Sequence, residues 1–239
     1  MSTQNPDAGP AGPSTLAAAR AVLSKELLLE RRAPQTLVAM ALFSATTYVL
    51  FHFALRADTV DGNLASGILW VTLLLAALLG VGRLFVADRD EGGLDGFLLA
   101  PVDRTALFLA KGTALMLFLL ALQVVAVPLF AILLLGPTPD AGAWARLAGV
   151  LVLADVGIAA VGTLVAAIAV QTRARDLITS ILALPLLVPV IIGAARATAP
   201  IFALGGAESI AGRWLAILAL YDLVFALLAW ALFDYLVED

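Results

Sequence analysis

The chain has 239 residues, of which 62% are hydrophobic and 13% charged, and its formal net charge is −4. Soluble domains contain about 45–50% apolar and about 25% charged residues, so this composition indicates an integral membrane protein. The absence of cysteine excludes disulfides, thiolate metal sites and iron–sulfur clusters.

The N-terminal region divides into two parts before the first apolar span. Residues 1–14 are rich in Pro, Gly and small polar residues, which predicts a disordered tail. Residues 15–32 favour a helix, and Leu16, Leu23 and Leu27 fall on one side of it. Because basic and acidic residues accompany these leucines, we predict an N-terminal helix that lies in the membrane interface.

Six further stretches have the length and apolar character of membrane spans. A hydrocarbon core of roughly 30 Å takes about 20 helical residues. The predicted fold class is therefore all-α, a polytopic membrane protein with six transmembrane helices, and residues 15–239 form a single transmembrane domain. The predicted spans are 36–55, 64–82, 111–135, 147–170, 177–195 and 213–233. The predicted outward connections are 56–63, 136–146 and 196–212, the third with a short helix or re-entrant piece.

The distribution of Lys and Arg predicts the orientation of these spans. With the N-terminus inside, ten of the 14 basic residues lie on the cytoplasmic side and four on the other. Cytoplasmic loops carry an excess of Lys and Arg in membrane proteins. We therefore predict a multi-pass protein of the cytoplasmic (inner) membrane with a cytoplasmic N-terminus.

The connection at 83–104 differs in character from the spans on either side, since it carries three Arg and five acidic residues. Leu94, Phe97 and Leu98 stand at i, i+3 and i+4, which predicts a short amphipathic helix over 94–100 that follows a Gly-Gly pair and ends before Pro101. The alternative is a solvated loop with incidental leucines. The candidate partner-docking residues are Asp88, Glu91, Gly93, Leu94, Asp95, Phe97, Leu98 and Pro101.

Three polar residues lie within the predicted spans, where ionisable groups are costly and therefore candidates for function. Asp155 and Asp222 have similar predicted depths and could border one polar cavity. The alternative is that each pairs with a neighbouring helix. Gln123 fits a hydrogen bond between helices better than a ligand site.

Two further features of the spans are a histidine and a proline pair. His52, near the outer end of the first span, is a candidate cofactor ligand, although a lone interfacial histidine commonly has no such role. Pro185 and Pro189 each remove a backbone hydrogen bond and can kink the fifth span. Such a kink would border a cavity, permit movement, or serve only the packing.

The motifs of common enzymes are absent from this sequence. It has no G-x-x-x-x-G-K-[ST], no H-E-x-x-H and no G-x-S-x-G, and it contains a single histidine. We therefore predict no catalytic site, no metal site and no cofactor bound by this chain.

Two groups of residues form a recognisable pattern. The first is Gly67-Ile68-Leu69-Trp70-Val71, Arg83-Leu84-Phe85, Asp88, Gly93, Leu94-Asp95, Leu98, Pro101 and Leu109-Ala110-Lys111. The second is Leu182-Ala183-Leu184-Pro185 with Pro189. Together they resemble the haem exporter protein B family (CcmB), the membrane subunit of the cytochrome c maturation ABC transporter. The resemblance extends from about residue 20 to the C-terminus.

This resemblance implies an ABC-2-like exporter permease with a cytoplasmic coupling helix between spans 2 and 3. It implies that a separate ABC ATPase, the A component of the cytochrome c maturation system, binds ATP, and that two copies of this chain serve one complex. The C and D membrane subunits and a periplasmic haem chaperone would be further partners. ATP use would then drive haem delivery or release of the loaded chaperone, with haem as a possible substrate of the complex.

The sequence departs from the family pattern at Gly82, where the family has an acidic residue. Two other functions stay open. One is an ABC-2-type permease that exports a lipid, a drug or a polysaccharide. The other is a membrane scaffold that recruits a partner without transport.

The topology is testable with single cysteines, since the chain has none of its own. Cysteines introduced at Ser14 and Asp90 should resist an impermeant thiol reagent added to intact cells, because both positions are predicted to be cytoplasmic. Rapid labelling at either position in intact cells would contradict the predicted orientation.

Overall fold

The computed structural model describes residues 14–55, 59–86, 104–136, 139–170, 172, 174–203 and 212–236. These residues form seven α-helices and one short 3-10 helix, and the described part contains no strand. The helices are α1 (Thr15–Arg32), α2 (Gln35–Ala54), α3 (Gly62–Arg83), α4 (Arg104–Leu134), α5 (Ala141–Val170), α6 (Arg175–Thr198) and α7 (Gly212–Leu236). The 3-10 helix, Ala199–Phe202, directly follows α6.

Six of these helices, α2 to α7, are long and apolar enough to cross a membrane. The prediction of an all-α protein with six transmembrane helices is therefore confirmed. The 3-10 helix provides the short helical piece predicted within 196–212. The tail at 1–13 lies outside the described residues.

Several helices begin earlier along the chain than the apolar stretches that predicted them. The prediction for α5 began at Leu147, but the helix starts at Ala141, where the carboxylate of Asp140 accepts a hydrogen bond from the backbone of Ala143. The prediction for α4 began at Lys111, but that helix starts at Arg104. Hydropathy marks the part of a helix that suits lipid, whereas capping groups decide where its hydrogen bonding begins. Helix α5 therefore includes 141–146, which were predicted as part of an outward connection.

Two residues, Ala33 and Pro34, join the two N-terminal helices. Ser14 caps α1 by accepting from the backbone of Ala17 at 3.4 Å. Pro34 precedes α2, and the carboxylate of Glu30 accepts a hydrogen bond from the backbone N–H of Leu37 at 2.8 Å. Because the first N–H groups of a helix have no partner within it, Glu30 satisfies one of them and fixes α1 to α2.

The centre of the bundle is formed by α3 and α5. In the most apolar 18-residue segment of α5, 72% of the residues are buried, and in that of α3, 67% are buried. The corresponding share is 17% for both α2 and α7. Helix α5 packs against α4, α6 and α7, and α3 packs against α2 and α6. The exposed sides of α2 and α7 are thus available to lipid or to other subunits.

Glycines on α5 allow its neighbours to approach closely. A Cβ built at Gly162 would lie 2.7 Å from Val81 Cγ2 on α3 and 3.0 Å from Leu115 Cδ2 on α4. Valine in a helix is held in one side-chain rotamer, so it cannot easily move away. Only glycine therefore permits this contact among the three helices.

We use the name outer end for the end of the bundle at which α3 begins and α6 ends. Two hydrogen bonds join these helices there: Trp70 Nε1 donates to Thr198 Oγ1 at 2.9 Å, and Ser66 Oγ donates to the carbonyl of Ala195 at 3.0 Å. The rings of Tyr48, Phe130 and Phe202 pack nearby, with centroids 5.5 and 5.7 Å apart. At the opposite end, which we call the basal end, α3 ends and α4 begins.

The glycine contact predicts the effect of adding one methyl group. Gly162→Ala should lower the free energy of unfolding by about 1–3 kcal/mol, because overpacking forces side chains out of their rotamers. The measurement is the thermal unfolding midpoint of the purified protein in detergent. Gly149→Ala is the matched control on the same helix, since a Cβ there meets no atom within 4 Å. Equal midpoints for the two variants would contradict the packing argument.

Candidate functional site

The predicted docking stretch falls at the basal end, between α3 and α4. Its candidate residues, Asp88, Glu91, Gly93, Leu94, Asp95, Phe97, Leu98 and Pro101, lie outside the described residues, which stop at Val86 and resume at Arg104. The residues that flank this stretch are described, and they show how it is attached to the bundle.

A buried ion pair lies at the basal end, where the described chain leaves α3 and enters α4. Lys111, on the second turn of α4, has no exposed surface. Its Nζ lies 2.7 Å from Glu26 Oε1 on α1 and donates to the carbonyl of Leu84, after the end of α3, at 2.8 Å. The same ammonium lies 5.2 Å from the ring centroid of Phe85. We call these four residues the basal lysine cluster.

The local sequence explains why these groups meet. Helix α1 packs on the start of α4 through small side chains, Ala18 and Ala19 against Ala106 and Ala110. Glu26 lies two turns beyond Ala19 on the same side of α1, since helical residues seven apart nearly coincide in direction. Leu84 follows the last residue of α3, where carbonyl groups lack partners within the helix. A lysine ammonium has three hydrogens and can satisfy both acceptors.

A second polar contact lies within the membrane spans. Gln123 Nε2 on α4 lies 2.9 Å from Asp155 Oδ1 and 3.0 Å from Oδ2 on α5. Asp155 is 1% exposed and Gln123 is 8% exposed. The structure therefore brings together two polar residues that the sequence singled out, as a hydrogen bond between adjacent helices.

Asp222 lies on another side of α5. Its Oδ1 contacts the position that a side chain on Gly157 would occupy, and Val190 Cγ2 lies 3.3 Å from that position. The residue is 5% exposed, and neither carboxyl oxygen has a hydrogen-bond partner among the described residues. A buried carboxyl group without a partner is costly, so this position needs an explanation.

The two carboxyl groups have different neighbours. Asp155 faces α4, whereas Asp222 approaches α5 at Gly157, two residues further along. Two residues correspond to about 200° around a helix. The backbone of α5 thus lies between the two carboxyl groups. This geometry does not favour a single cavity lined by both.

His52 makes a local contact at the outer end. Its Nδ1 lies 2.7 Å from the carbonyl oxygen of Leu133, near the end of α4, and its ring meets Phe53 edge-on with centroids 5.1 Å apart. With a hydrogen on Nδ1, the ring satisfies one of the unpaired carbonyls of the helix end. Among the described residues, no group of three His, Asp or Glu side chains could hold a metal ion. A cofactor on His52 stays a prediction.

Helix α6 continues through both prolines. Pro185 and Pro189 lie inside the helix, which runs from Arg175 to Thr198 without interruption. The hydroxyl of Tyr221 on α7 donates to the carbonyl of Leu186, between the two prolines. This bond gives α7 a contact with the segment between the two prolines. A role of that segment in movement stays a prediction.

Sequence reasoning missed the basal lysine cluster. Lys111 entered only as a basic residue, a motif position and the first residue of the predicted span 111–135, although it lies between two apolar runs. An ionisable residue at such a position is a signal that could have identified it. Glu26 gave no such signal, because its partner is 85 residues away along the chain.

Gly82, where the family resemblance implies an acidic residue, lines a cleft at the basal end. The cleft lies between α3, α5 and α6 and is also lined by Phe85, Ala169 and Thr179. A Cβ at Gly82 would meet no atom within 4 Å. The structure thus has space for a side chain at this position, and the glycine is not required by packing.

Comparison with known proteins relates the whole bundle to one family. The family model described as "CcmB protein" matches residues 17–234. "Heme exporter protein B" of Rhodobacter capsulatus is 35% identical over 174 residues, which are 72% of this chain and 78% of that protein. The protein of the same name from Paracoccus denitrificans is 33% identical, over 74% of this chain and 81% of that protein. The protein of that name from Pseudomonas aeruginosa is 32% identical, over 72% of this chain and 76% of that protein. The resemblance inferred from the sequence motifs is confirmed.

The contact between Gln123 and Asp155 can be tested with a double-mutant cycle. Gln123→Leu should lower the free energy of unfolding by about 1–3 kcal/mol, because it leaves a buried carboxyl group without its donor. The combined Gln123→Leu and Asp155→Leu variant should recover most of that loss, since both polar groups are then removed. Thermal unfolding in detergent measures both. Additive losses in the double variant would show that the two side chains are not coupled.

Proposed function

This chain belongs to the CcmB protein family, and from that membership we propose that it is the membrane subunit of an ABC transporter complex for cytochrome c maturation. The observation that carries the proposal is the family match over residues 17–234. The relatives named "Heme exporter protein B" cover most of the chain and support haem as the substrate of the complex.

The energy source in this proposal is a separate protein. The chain has no nucleotide-binding P-loop, and no other sequence motif offers a catalytic site. The ABC ATPase of the cytochrome c maturation system, its A component, would bind ATP and act on this chain from the cytoplasm. The excess of basic residues on that side supports a cytoplasmic N-terminus in the inner membrane.

The docking element in this proposal is the predicted helix over 94–100. Its apolar positions, Leu94, Phe97 and Leu98, would enter a groove of the ATPase, and Asp88 with Asp95 would steer the encounter from the rim. The described structure supports this location in one respect. The chain enters and leaves this stretch beside the basal lysine cluster, so it is attached to a buried, hydrogen-bonded part of the bundle.

In this proposal, ATP hydrolysis by the ATPase is coupled to movement of the helices, and haem does not pass through this chain. The described interior supports this view, because α5 touches its neighbours at glycine positions with no room for a methyl group. Haem delivery, or release of a haem-loaded periplasmic chaperone, would follow from movement of the helices. The C and D membrane subunits would be further partners.

Two copies of this chain would serve one complex, as the family resemblance implies. The exposed apolar side chains on α2 and α7 offer surface to lipid, to the second copy or to the other membrane subunits. They include Val38, Leu42, Leu50, Phe53, Leu220, Leu223, Leu227 and Leu228. The contacts of the described residues favour none of these occupants.

The test of the proposed function is co-purification of the ATPase with variants of the docking helix. Leu94→Ala combined with Leu98→Ala should weaken ATPase recovery while the chain still inserts in the membrane, because truncation of an anchoring side chain at an interface commonly costs more than about 1 kcal/mol. The same cells should show reduced cytochrome c maturation.

Two control variants belong to the same stretch. Leu99→Ala removes a leucine that falls off the predicted apolar face, and Asp95→Ala removes a rim charge, so both should act mildly. ATPase recovery at the wild-type ratio in the double leucine variant would refute the docking helix. Normal cytochrome c maturation in cells that lack this chain would refute the proposed function itself, and would favour export of another substrate or a scaffold.

A further inference from the structure

The basal lysine cluster joins three separate parts of the chain through one side chain. Glu26 belongs to α1, Leu84 lies three residues before the stretch at 87–103, and Lys111 follows that stretch on α4. The bonds from Lys111 Nζ are 2.7 Å to the carboxylate and 2.8 Å to the carbonyl. One ammonium group therefore ties both ends of the predicted docking stretch to the N-terminal helix.

Stability alone is a poor reason for an ion pair at this position. Replacing a buried ion pair with apolar residues of similar volume is often neutral or stabilising, because both charges lose their hydration on burial. The surrounding contact of α1 with α4 is already made of alanines, which would accept apolar neighbours. The ion pair adds a directional contact between the helices. A hydrogen bond fixes the relative position of its partners, whereas a contact between alanines allows small shifts.

The other side of α1 faces away from the bundle. Leu16 is 71% exposed, and Leu27 and Leu28 are also exposed, while Ala18 and Ala19 are buried against α4. Beyond the alanines and Glu26, the hydrogen bond from Leu37 to Glu30 holds the far end of α1 to α2. Helix α1 is thus held on α4 by the alanine contact, and the basal lysine cluster is the contact that also joins it to the end of α3.

We propose that Lys111 is a positioning residue that makes α1, the end of α3 and the start of α4 move as one unit, so that force applied to residues 87–103 reaches the N-terminal helix. This inference rests on the proposed function, because an ATPase docked on that stretch supplies the force. Glu26 and the Leu84 carbonyl are the two points through which Lys111 acts. Movement of α1 in the interface is then part of each ATPase cycle.

The experiment follows α1 with a single cysteine, which is possible because the chain has none of its own. Ser24→Cys places the thiol on the exposed side of α1, away from α4. Its labelling rate is measured in the purified complex with the ATPase, without nucleotide and after trapping with ATP and vanadate. We expect a severalfold difference between the two states.

The decisive variant carries Lys111→Met and Glu26→Leu together with Ser24→Cys. Removing both charges avoids an unpaired buried ion, so the chain should fold and keep its ATPase. The labelling difference between the two nucleotide states should be lost, and cytochrome c maturation should fall. A merely structural pair would leave the nucleotide dependence of labelling unchanged in this variant.

A second variant separates the two bonds of Lys111. Exchanging the charges with Lys111→Glu and Glu26→Lys restores an ion pair between α1 and α4, but a carboxylate cannot donate to the Leu84 carbonyl. We therefore expect only partial recovery of the labelling difference. Gly149→Ala serves as a control variant that leaves the cluster intact and should retain the full difference, since a Cβ there meets no atom within 4 Å.

Two outcomes would overturn the inference. One is an equal Ser24→Cys labelling rate in both nucleotide states of the otherwise wild-type complex, and the other is an unchanged difference in the Lys111→Met and Glu26→Leu variant. Neither outcome touches the proposed function, which depends on ATPase recovery with the docking variants and on cytochrome c maturation. The two conclusions can therefore fail separately.

Discussion

Helix α5 runs through the middle of the bundle, and its glycines set the distances to the helices around it. Gly162 allows the side chains of Val81 and Leu115 to approach from α3 and α4, and Gly157 allows Asp222 to approach from α7. Within a bilayer the hydrophobic effect does not drive helices together, so close packing and polar contacts must do so. The packing of α3, α4, α6 and α7 on α5 thus depends on small residues along one helix.

Polar side chains at both ends of the bundle form hydrogen bonds with backbone carbonyl groups near helix ends. Lys111 bonds the carbonyl of Leu84, and His52 bonds that of Leu133. Ser66 adds a second bond to the carbonyl of Ala195, which also accepts from the backbone N–H of Ala199. The last carbonyls of a helix have no partner within it, and water is scarce where they approach the hydrocarbon. Each of these bonds also joins two helices, so the same groups that complete the backbone hydrogen bonding fix the packing.

The two ends nevertheless differ in a way that bears on function. The outer end is joined by neutral hydrogen bonds, such as that of Trp70, and by the tilted and edge-on ring contacts of Phe130 with Tyr48 and Phe202. The basal end contains a buried ion pair, which binds strongly only while both partners stay in place. Under the proposed function, the ATPase would act on that end, where a small displacement breaks or keeps a directional contact.

The sequence alone determined the class of the protein, the number of spans and the family. These follow from local properties. Runs of about 20 apolar residues need no partner to be recognised, and each of the two motif groups, one around Arg83 and Leu94 and one around Pro185, lies within a limited stretch of the chain. It could not give the pairing of Glu26 with Lys111 or the contact of Asp222 with Gly157, because each joins residues far apart in the chain. Only the packing of the helices decides which of several polar residues at similar depth face each other, and it placed Asp155 with Gln123 rather than with Asp222.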